Sequence, residues 1–148
     1  MNGHPYLRAY MAGIVVPTVF LLVAMTAFVM ARLVYHVPVP IERLIVFPMA
    51  LVPNLFGAWN ALYVWLGPGR RLPIGFHGAL LPFVVAPLGI ALVTSLGFLA
   101  VTSAGFVLFD AVTIGHGLAA AVFPFVVVVY YLVWKHLVGF FNSVLGIA

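Results

Sequence analysis

The sequence predicts an all-α, polytopic membrane protein: one domain of four transmembrane helices in a bundle kinked by proline. Hydrophobic residues make up 66% of the 148 residues and charged residues only 5%, whereas about 25% of residues are charged in a typical soluble domain. The mean hydropathy of +1.29 leaves too few charged side chains to cover a water-exposed surface. A third observation is the spacing of four long apolar runs between short clusters of charged and turn-forming residues.

Each of the four runs approaches the length of a membrane crossing. A transmembrane helix needs about 20 mostly apolar residues. The first candidate, residues 10–34, follows Arg8 and contains Arg32 near its end. The other three crossings are predicted at residues 45–66, 74–99 and 117–134. The segment from residue 137 to the end is expected to continue as helix, along or out of the membrane surface.

The connections between the runs carry turn-forming residues. Pro38 and Pro40 disfavour helix at the residues before them, and residues 67–73 read Gly-Pro-Gly-Arg-Arg-Leu-Pro, a strong turn signal. The third connection, residues 104–116, is apolar but too short to span, and it contains Asp110. We expect an interfacial segment packed on the bundle there; a re-entrant loop is the alternative, because such backbone needs protein or water around it.

The distribution of charge predicts the orientation. With four crossings, both termini and the second connection lie on one side of the membrane. The basic residues on that side are Arg8, Arg70, Arg71 and Lys135. Arg32 and Arg43 lie on the other side together with both acidic residues. The positive-inside rule therefore predicts that both termini are cytoplasmic. We expect the protein to lie in the cell membrane, which is the inner membrane if the protein is bacterial.

Proline and asparagine supply the candidate polar site. Proline removes a helical hydrogen bond and clashes with the carbonyl four residues before it, so kinks are expected in every crossing. The prolines within the crossings are Pro17, Pro48, Pro53, Pro82, Pro87 and Pro124. Asn54, beside Pro53 and near mid-depth, is expected to hydrogen-bond a neighbouring helix. The alternative is that Asn54, Asn60 and Trp59 line a ligand site or a transport pathway.

Four histidines raise the possibility of a cofactor. The topology places His36 and His116 at the outer level and His77 and His136 at the inner level, so bis-imidazole ligation of haem b is geometrically conceivable. All four lie at predicted helix ends, however, where histidine commonly makes interfacial hydrogen bonds, and we therefore expect no cofactor. The chain has no cysteine, which excludes disulfides and thiolate metal sites. Asp110 is expected to pair with Arg32 or Arg43.

The function class that these patterns favour is a non-catalytic integral membrane module, a helix-packing subunit of a homo-oligomer or of a larger membrane complex. No buried pair of carboxylates, phosphate-binding loop or nucleophile elbow is present. The expected partners are the lipid bilayer and either further copies of the chain or other membrane subunits, without nucleic acid. Two alternatives stay open: a small transporter or channel with a site near Asn54, and a haem- or pigment-binding electron-transfer subunit. A lipid-modifying enzyme that uses His77 or His116 has no spacing pattern in its favour.

Overall fold

The computed structural model describes residues 4–36, 41, 51–67, 69–108 and 112–147. Within these ranges the chain is mostly helical. The helices are α1 (Pro5–Leu33), α2 (Val52–Trp65), α3 (Ile74–Ala79), α4 (Pro82–Ser95), α5 (His116–Val133) and α6 (Gly139–Val144). A π-helical turn, Trp134–Val138, joins α5 to α6, and the strands are β1 (Leu99–Val101), β2 (Gly105–Leu108) and β3 (Val112–Gly115).

Three helical stretches of the described chain are long and apolar enough to cross a membrane, which supports a membrane protein. They are Pro5–Leu33, Ile74–Ser95 and His116–Val144. They overlap the predicted first, third and fourth crossings, and the last is longer than predicted because the helix continues through the π turn into α6. The 14 residues of α2 extend about 21 Å, short of the hydrocarbon thickness of about 30 Å. Residues 45–50 lie outside the described residues, so the second crossing and the count of four stay predictions.

The expectation of an all-helical chain is wrong at residues 99–108 and 112–115. The three strands form an antiparallel sheet in the order β1-β2-β3; Leu99 pairs with Leu108, and Gly105 pairs with Gly115. The turn between β1 and β2 is closed by hydrogen bonds in both directions between the backbones of Thr102 and Gly105. In the described part of this connection, the strands satisfy backbone groups by pairing within the segment. Whether the segment is interfacial or re-entrant stays a prediction.

The prolines divide into two groups. Pro17, Pro87 and Pro124 lie inside α1, α4 and α5. Pro53 and Pro82 instead lie in the first turns of α2 and α4, where a missing N–H costs no helical hydrogen bond. Pro82 separates α3 from α4 within the stretch Ile74–Ser95. Leu51, two positions before Pro53, is itself in π-helical backbone, so whether either proline kinks a longer helix is not decided. Pro48 lies outside the described residues, and the kinks stay a prediction.

Small residues allow α1 and α2 to approach closely. The buried stripe of α1 consists of Ala9, Ala12, Gly13, Pro17 and Leu21. A Cβ atom on Gly13 would lie 2.6 Å from the carbonyl oxygen of Phe56, so the backbones of the two helices are in contact. This is the packing by which membrane helices associate when the surrounding lipid offers no hydrophobic driving force.

The remaining core lies at one end of the bundle, which we call the basal end. It is formed by the start of α1, the end of α2, the short helix α3, the π turn and α6. Its apolar centre contains Phe56, Leu81, Trp134 and Val138. Trp134 is fully buried. The close approach of α3 to the π turn depends on Gly78, since a Cβ atom there would lie 1.9 Å from Cγ of Trp134.

Candidate functional site

Five polar side chains make three separate sets of hydrogen bonds between the helices of the basal end. We call them the basal polar cluster: Arg8, Trp59, Asn60, His77 and Asn142. At its centre, Nδ2 of Asn60 donates to Oδ1 of Asn142 at 2.7 Å, and Nδ2 of Asn142 donates to Oδ1 of Asn60 at 3.1 Å. Nδ2 of Asn60 also donates to the carbonyl oxygen of Ala9 at 2.8 Å. The exposed fractions of Asn60 and Asn142 are 0% and 1%. The two amides thus join α2, α6 and α1 at one buried point.

His77 and Trp59 make a second reciprocal contact. Nε1 of Trp59 donates to the carbonyl oxygen of His77, and Nε2 of His77 contacts the carbonyl oxygen of Trp59, each at 2.9 Å. Because a carbonyl can only accept, Nε2 of His77 carries the proton. The two rings stack with centroids 5.1 Å apart. His77 is buried, and its Nε2 is therefore committed to the contact between α2 and α3.

The π turn aligns the C-terminal helix with these contacts. Residues eight positions apart in an ideal α-helix differ by about 80° in direction, so Asn142 would lie toward the edge of the face that carries Trp134 and Val138. The wider turn, in which the N–H of Gly139 donates to the carbonyl of Trp134, contains an extra residue and offsets this drift. All three residues consequently face the core. Nε1 of Trp134 is buried without a hydrogen-bond partner among the described residues.

Arg8 connects the two ends of the chain. Its Nη1 donates to the carbonyl oxygen of Leu145 at 2.9 Å, one of the carbonyls that the end of α6 leaves without a helical partner. A cation at this position is also favoured by the helix dipole. Nε of Arg8 is buried and has no hydrogen-bond partner among the described residues. The first turn of α1 and the end of α6 are therefore held together by a charged hydrogen bond.

Asn54 makes the expected hydrogen bond to a neighbouring helix, although its side chain is not buried within the protein. Its side chain is exposed, and its Oδ1 accepts a hydrogen bond from the hydroxyl of Tyr10. The buried face of α2 consists of Pro53, Phe56, Gly57 and Asn60. Asn60, which we ranked behind Asn54, is the asparagine that joins helices in the core. Trp59 lies beside it and is half-buried.

The other histidines do not join His77 in a hydrogen-bonded group. His36 is exposed just after α1. His116, the first residue of α5, is exposed, and its Nε2 contacts the carbonyl oxygen of Thr102 at 3.0 Å. His136 is exposed on the π turn. Within the described ranges, no three His, Asp or Glu side chains come close enough to hold a metal ion, and binding of haem b stays untested.

The expected ion pair at the opposite end is also untested. Arg32 lies in the last turn of α1. Arg43 and Asp110 lie outside the described residues, so the pairing of Asp110 with Arg32 or Arg43 stays a prediction.

Two members of the cluster were missed by the sequence analysis. Asn142 lies in the C-terminal segment, which the sequence predicts to continue as helix along or out of the membrane surface, and Arg8 was used only as a topology signal. The signal for Asn60 was present: positions 53, 56, 57 and 60 repeat at the spacing of one helix face. Asn142 had no such signal, because its burial depends on a partner 82 positions earlier.

A separate apolar groove lies away from the cluster, where α4 and α5 meet the sheet. Its volume is about 500 Å³, and its lining includes Gly89, Val93, Phe106, Leu118 and Val122. Phe83 and Phe123 bring the two helices together in an edge-to-face contact with ring centroids 5.1 Å apart. The helical walls of the groove belong to candidate membrane-spanning stretches, and all of its lining residues are apolar.

No known protein family matches this chain, and comparisons with curated proteins and with solved structures give no match either.

Proposed function

We propose that this chain is a non-catalytic membrane module, a helix-packing subunit of a homo-oligomer or of a larger complex in the cell membrane. The observation that carries the proposal is the surface of α1. Its buried residues end at Leu21, although the helix continues to Leu33. Over these last 12 residues, α1 presents large apolar side chains to its surroundings. Those with at least 39% exposure are Leu22, Val23, Phe28, Val29, Met30 and Leu33.

The geometry of the basal polar cluster supports a structural role for its polar groups. The amides of Asn60 and Asn142 bond to each other, and the ring nitrogens of Trp59 and His77 bond to backbone carbonyls. A side chain that acts in catalysis must reach a substrate from its resting position. Groups that hydrogen-bond between α1, α2, α3 and α6 are instead suited to stabilising the bundle. The outer surfaces of the helices then remain available for association with other subunits.

The proposed orientation has four crossings with the basal end in the cytoplasm. Arg8, Arg71 and Lys135 lie at this end, and Arg32 lies at the opposite end of α1. The antiparallel course of α1 and α2 supports the second crossing, because Ala9 contacts Asn60 while Gly13 contacts Gly57. This distribution of basic residues agrees with the positive-inside rule.

Single cysteines test the proposal directly, since the natural chain has none. We expect Leu22→Cys and Val29→Cys, seven positions apart on one helix face, to give disulfide-linked dimers when native membranes are oxidised, or cross-links to another subunit. Phe125→Cys, which is 68% exposed on α5, is the matched control and should remain uncoupled. A chain that purifies as a lone monomer, forms no product at either α1 position and brings no partner with it in mild detergent refutes the proposal.

A further inference from the structure

A second surface of the basal end points to a lipid partner. We call Arg70, Arg71 and Lys135 the basic rim. Six Lys and Arg residues are present against only two acidic residues in the whole chain, so most of the basic side chains have no acidic partner within it. Arg70 and Lys135 are exposed, and Arg71 is half-buried. A positive surface of this kind is complementary to a layer of negative groups outside the protein.

Aromatic rings hold two of these cations in place. The guanidinium of Arg71 lies over the ring of Tyr63 at 5.0 Å, and the ammonium of Lys135 lies over the ring of Tyr131 at 5.8 Å. Cation–π contacts of this length orient a side chain while leaving its charge accessible. The side-chain conformations of Arg71 and Lys135 are therefore restricted before any ligand binds, which lowers the entropy cost of binding.

Both rings belong to the same packing unit around α3. The Tyr63 ring contacts His77 with centroids 5.1 Å apart, and the Tyr131 ring contacts Phe76 at 5.2 Å. Phe76 and His77 are consecutive residues of α3. Arg71, from the segment after α2, and Lys135, from the π turn, are thus brought to one short helix although 64 positions separate them in the sequence.

The length of α5 and the position of Arg71 support a rim at the depth of the headgroup layer. The 18 residues of α5 extend about 27 Å, close to the hydrocarbon thickness of about 30 Å, and Lys135 follows two positions after its end. Arg71 comes three positions before the start of the apolar stretch Ile74–Ser95. Tyrosine and tryptophan are typical of this boundary, and Trp65, 68% exposed, is at the end of α2.

We propose that the basic rim, with Tyr63 and Tyr131 beneath it, binds the phosphate headgroups of anionic phospholipids in the leaflet at the basal end. This goes beyond the proposed function, because it names a lipid class and a surface that the contacts of α1 do not involve. Arg8 is not part of the rim, since its guanidinium bonds to the carbonyl of Leu145.

The test uses the purified full-length chain in detergent with an equimolar mixture of phosphatidylglycerol and phosphatidylcholine. Native mass spectrometry measures the ratio of the two lipids that stay bound. We expect the wild type to retain phosphatidylglycerol preferentially, and Arg71→Gln and Lys135→Gln each to lower the ratio about fivefold, as the energy of a basic residue near an anionic surface predicts. Arg32→Gln, which removes one charge at the opposite end, is the matched control and should leave the ratio unchanged.

Three outcomes overturn the proposal: equal retention of both lipids by the wild type, an effect of Arg32→Gln as large as that of Arg71→Gln, or displacement of the lipid by excess inorganic phosphate. The last would show a site for free phosphate instead of a lipid surface. Far-UV circular dichroism and the elution volume of each variant show that the fold is intact, so a lost preference is not caused by unfolding.

Discussion

The side-chain amides of Asn60 and Asn142 hydrogen-bond each other in both directions, although 82 positions separate them. The pair joins the end of α2 to α6, and the additional bond from Asn60 to the carbonyl of Ala9 brings in α1. Both side chains are almost completely buried. A buried amide that loses its partner keeps the cost of its own desolvation, whereas removal of both partners removes that cost.

This asymmetry gives the first prediction. Asn142→Ala should lower the free energy of unfolding by about 1–3 kcal/mol, because Oδ1 of Asn60 is left buried without a donor. The double variant Asn60→Leu, Asn142→Leu should be destabilised by clearly less than the sum of the two single leucine variants. Unfolding by SDS in mixed micelles, followed by far-UV circular dichroism, measures these differences.

The control for this prediction is Asn54→Ala, which changes the same residue type on the same helix. Asn54 is exposed, so we expect a loss below about 1 kcal/mol, the size of an ordinary exposed hydrogen bond. A loss at Asn54 larger than the loss at Asn142 would contradict the assignment of Asn60 and Asn142 as the polar core.

The contact between α3 and the π turn gives the second prediction. Gly78→Ala should destabilise the fold by about 1–3 kcal/mol or prevent folding, because the added methyl group overlaps the buried indole of Trp134. Gly117→Ala is the matched control: nothing lies within 4 Å of its Cβ position in α5, and alanine favours helix by up to about 1 kcal/mol. Thermal unfolding of both variants in detergent measures their melting temperatures, and we expect that of Gly78→Ala to be the lower. Equal melting temperatures would show that α3 does not pack on Trp134 as described.

The hydrogen-bonding state of His77 gives the third prediction. Since Nε2 of His77 donates to the carbonyl of Trp59, this nitrogen has no lone pair to offer a haem iron. We expect the protein purified with its natural cofactor content to be colourless, without a Soret band in the absorption spectrum. A Soret band would revive the electron-transfer alternative, and its loss in His36→Ala or His116→Ala but not in His136→Ala would identify the outer histidines as ligands.

Transport past Asn54 can be tested separately. If the chain is a packing module, proteoliposomes that contain it should show no solute flux above that of empty liposomes, and Asn54→Leu should change nothing. The hydroxyl of Tyr10 bonds to Asn54, so Tyr10→Phe is a second variant that alters the same contact from α1. A measurable flux that both variants abolish would favour the transporter alternative.

The position of the core asparagine shows how far sequence reasoning reached. Positions 53, 56, 57 and 60 repeat with the period of a helix face, which identifies the buried side of α2 without a structure. Asn54 is singled out as the polar group of this crossing because it lies near the middle of its apolar run. Depth in the run is a weaker guide to burial within the protein than the helical period. The sheet formed by β1, β2 and β3 was missed for a different reason, since short apolar strands and short apolar helices have similar composition and no clear period.

Composition and the lengths of the apolar runs were enough to determine the environment of this protein, because a bilayer selects helical stretches of about 20 apolar residues whatever their neighbours are. The charges at the ends of those runs predicted which parts lie together at one end. Only the tertiary structure decided which polar side chains are buried and what they bind. The amide of Asn60 needs Asn142 from a distant helix, and the π turn before α6 contributes to the direction in which that partner points. Such contacts depend on the relative rotation and crossing of whole helices, which the local pattern of apolar residues does not specify.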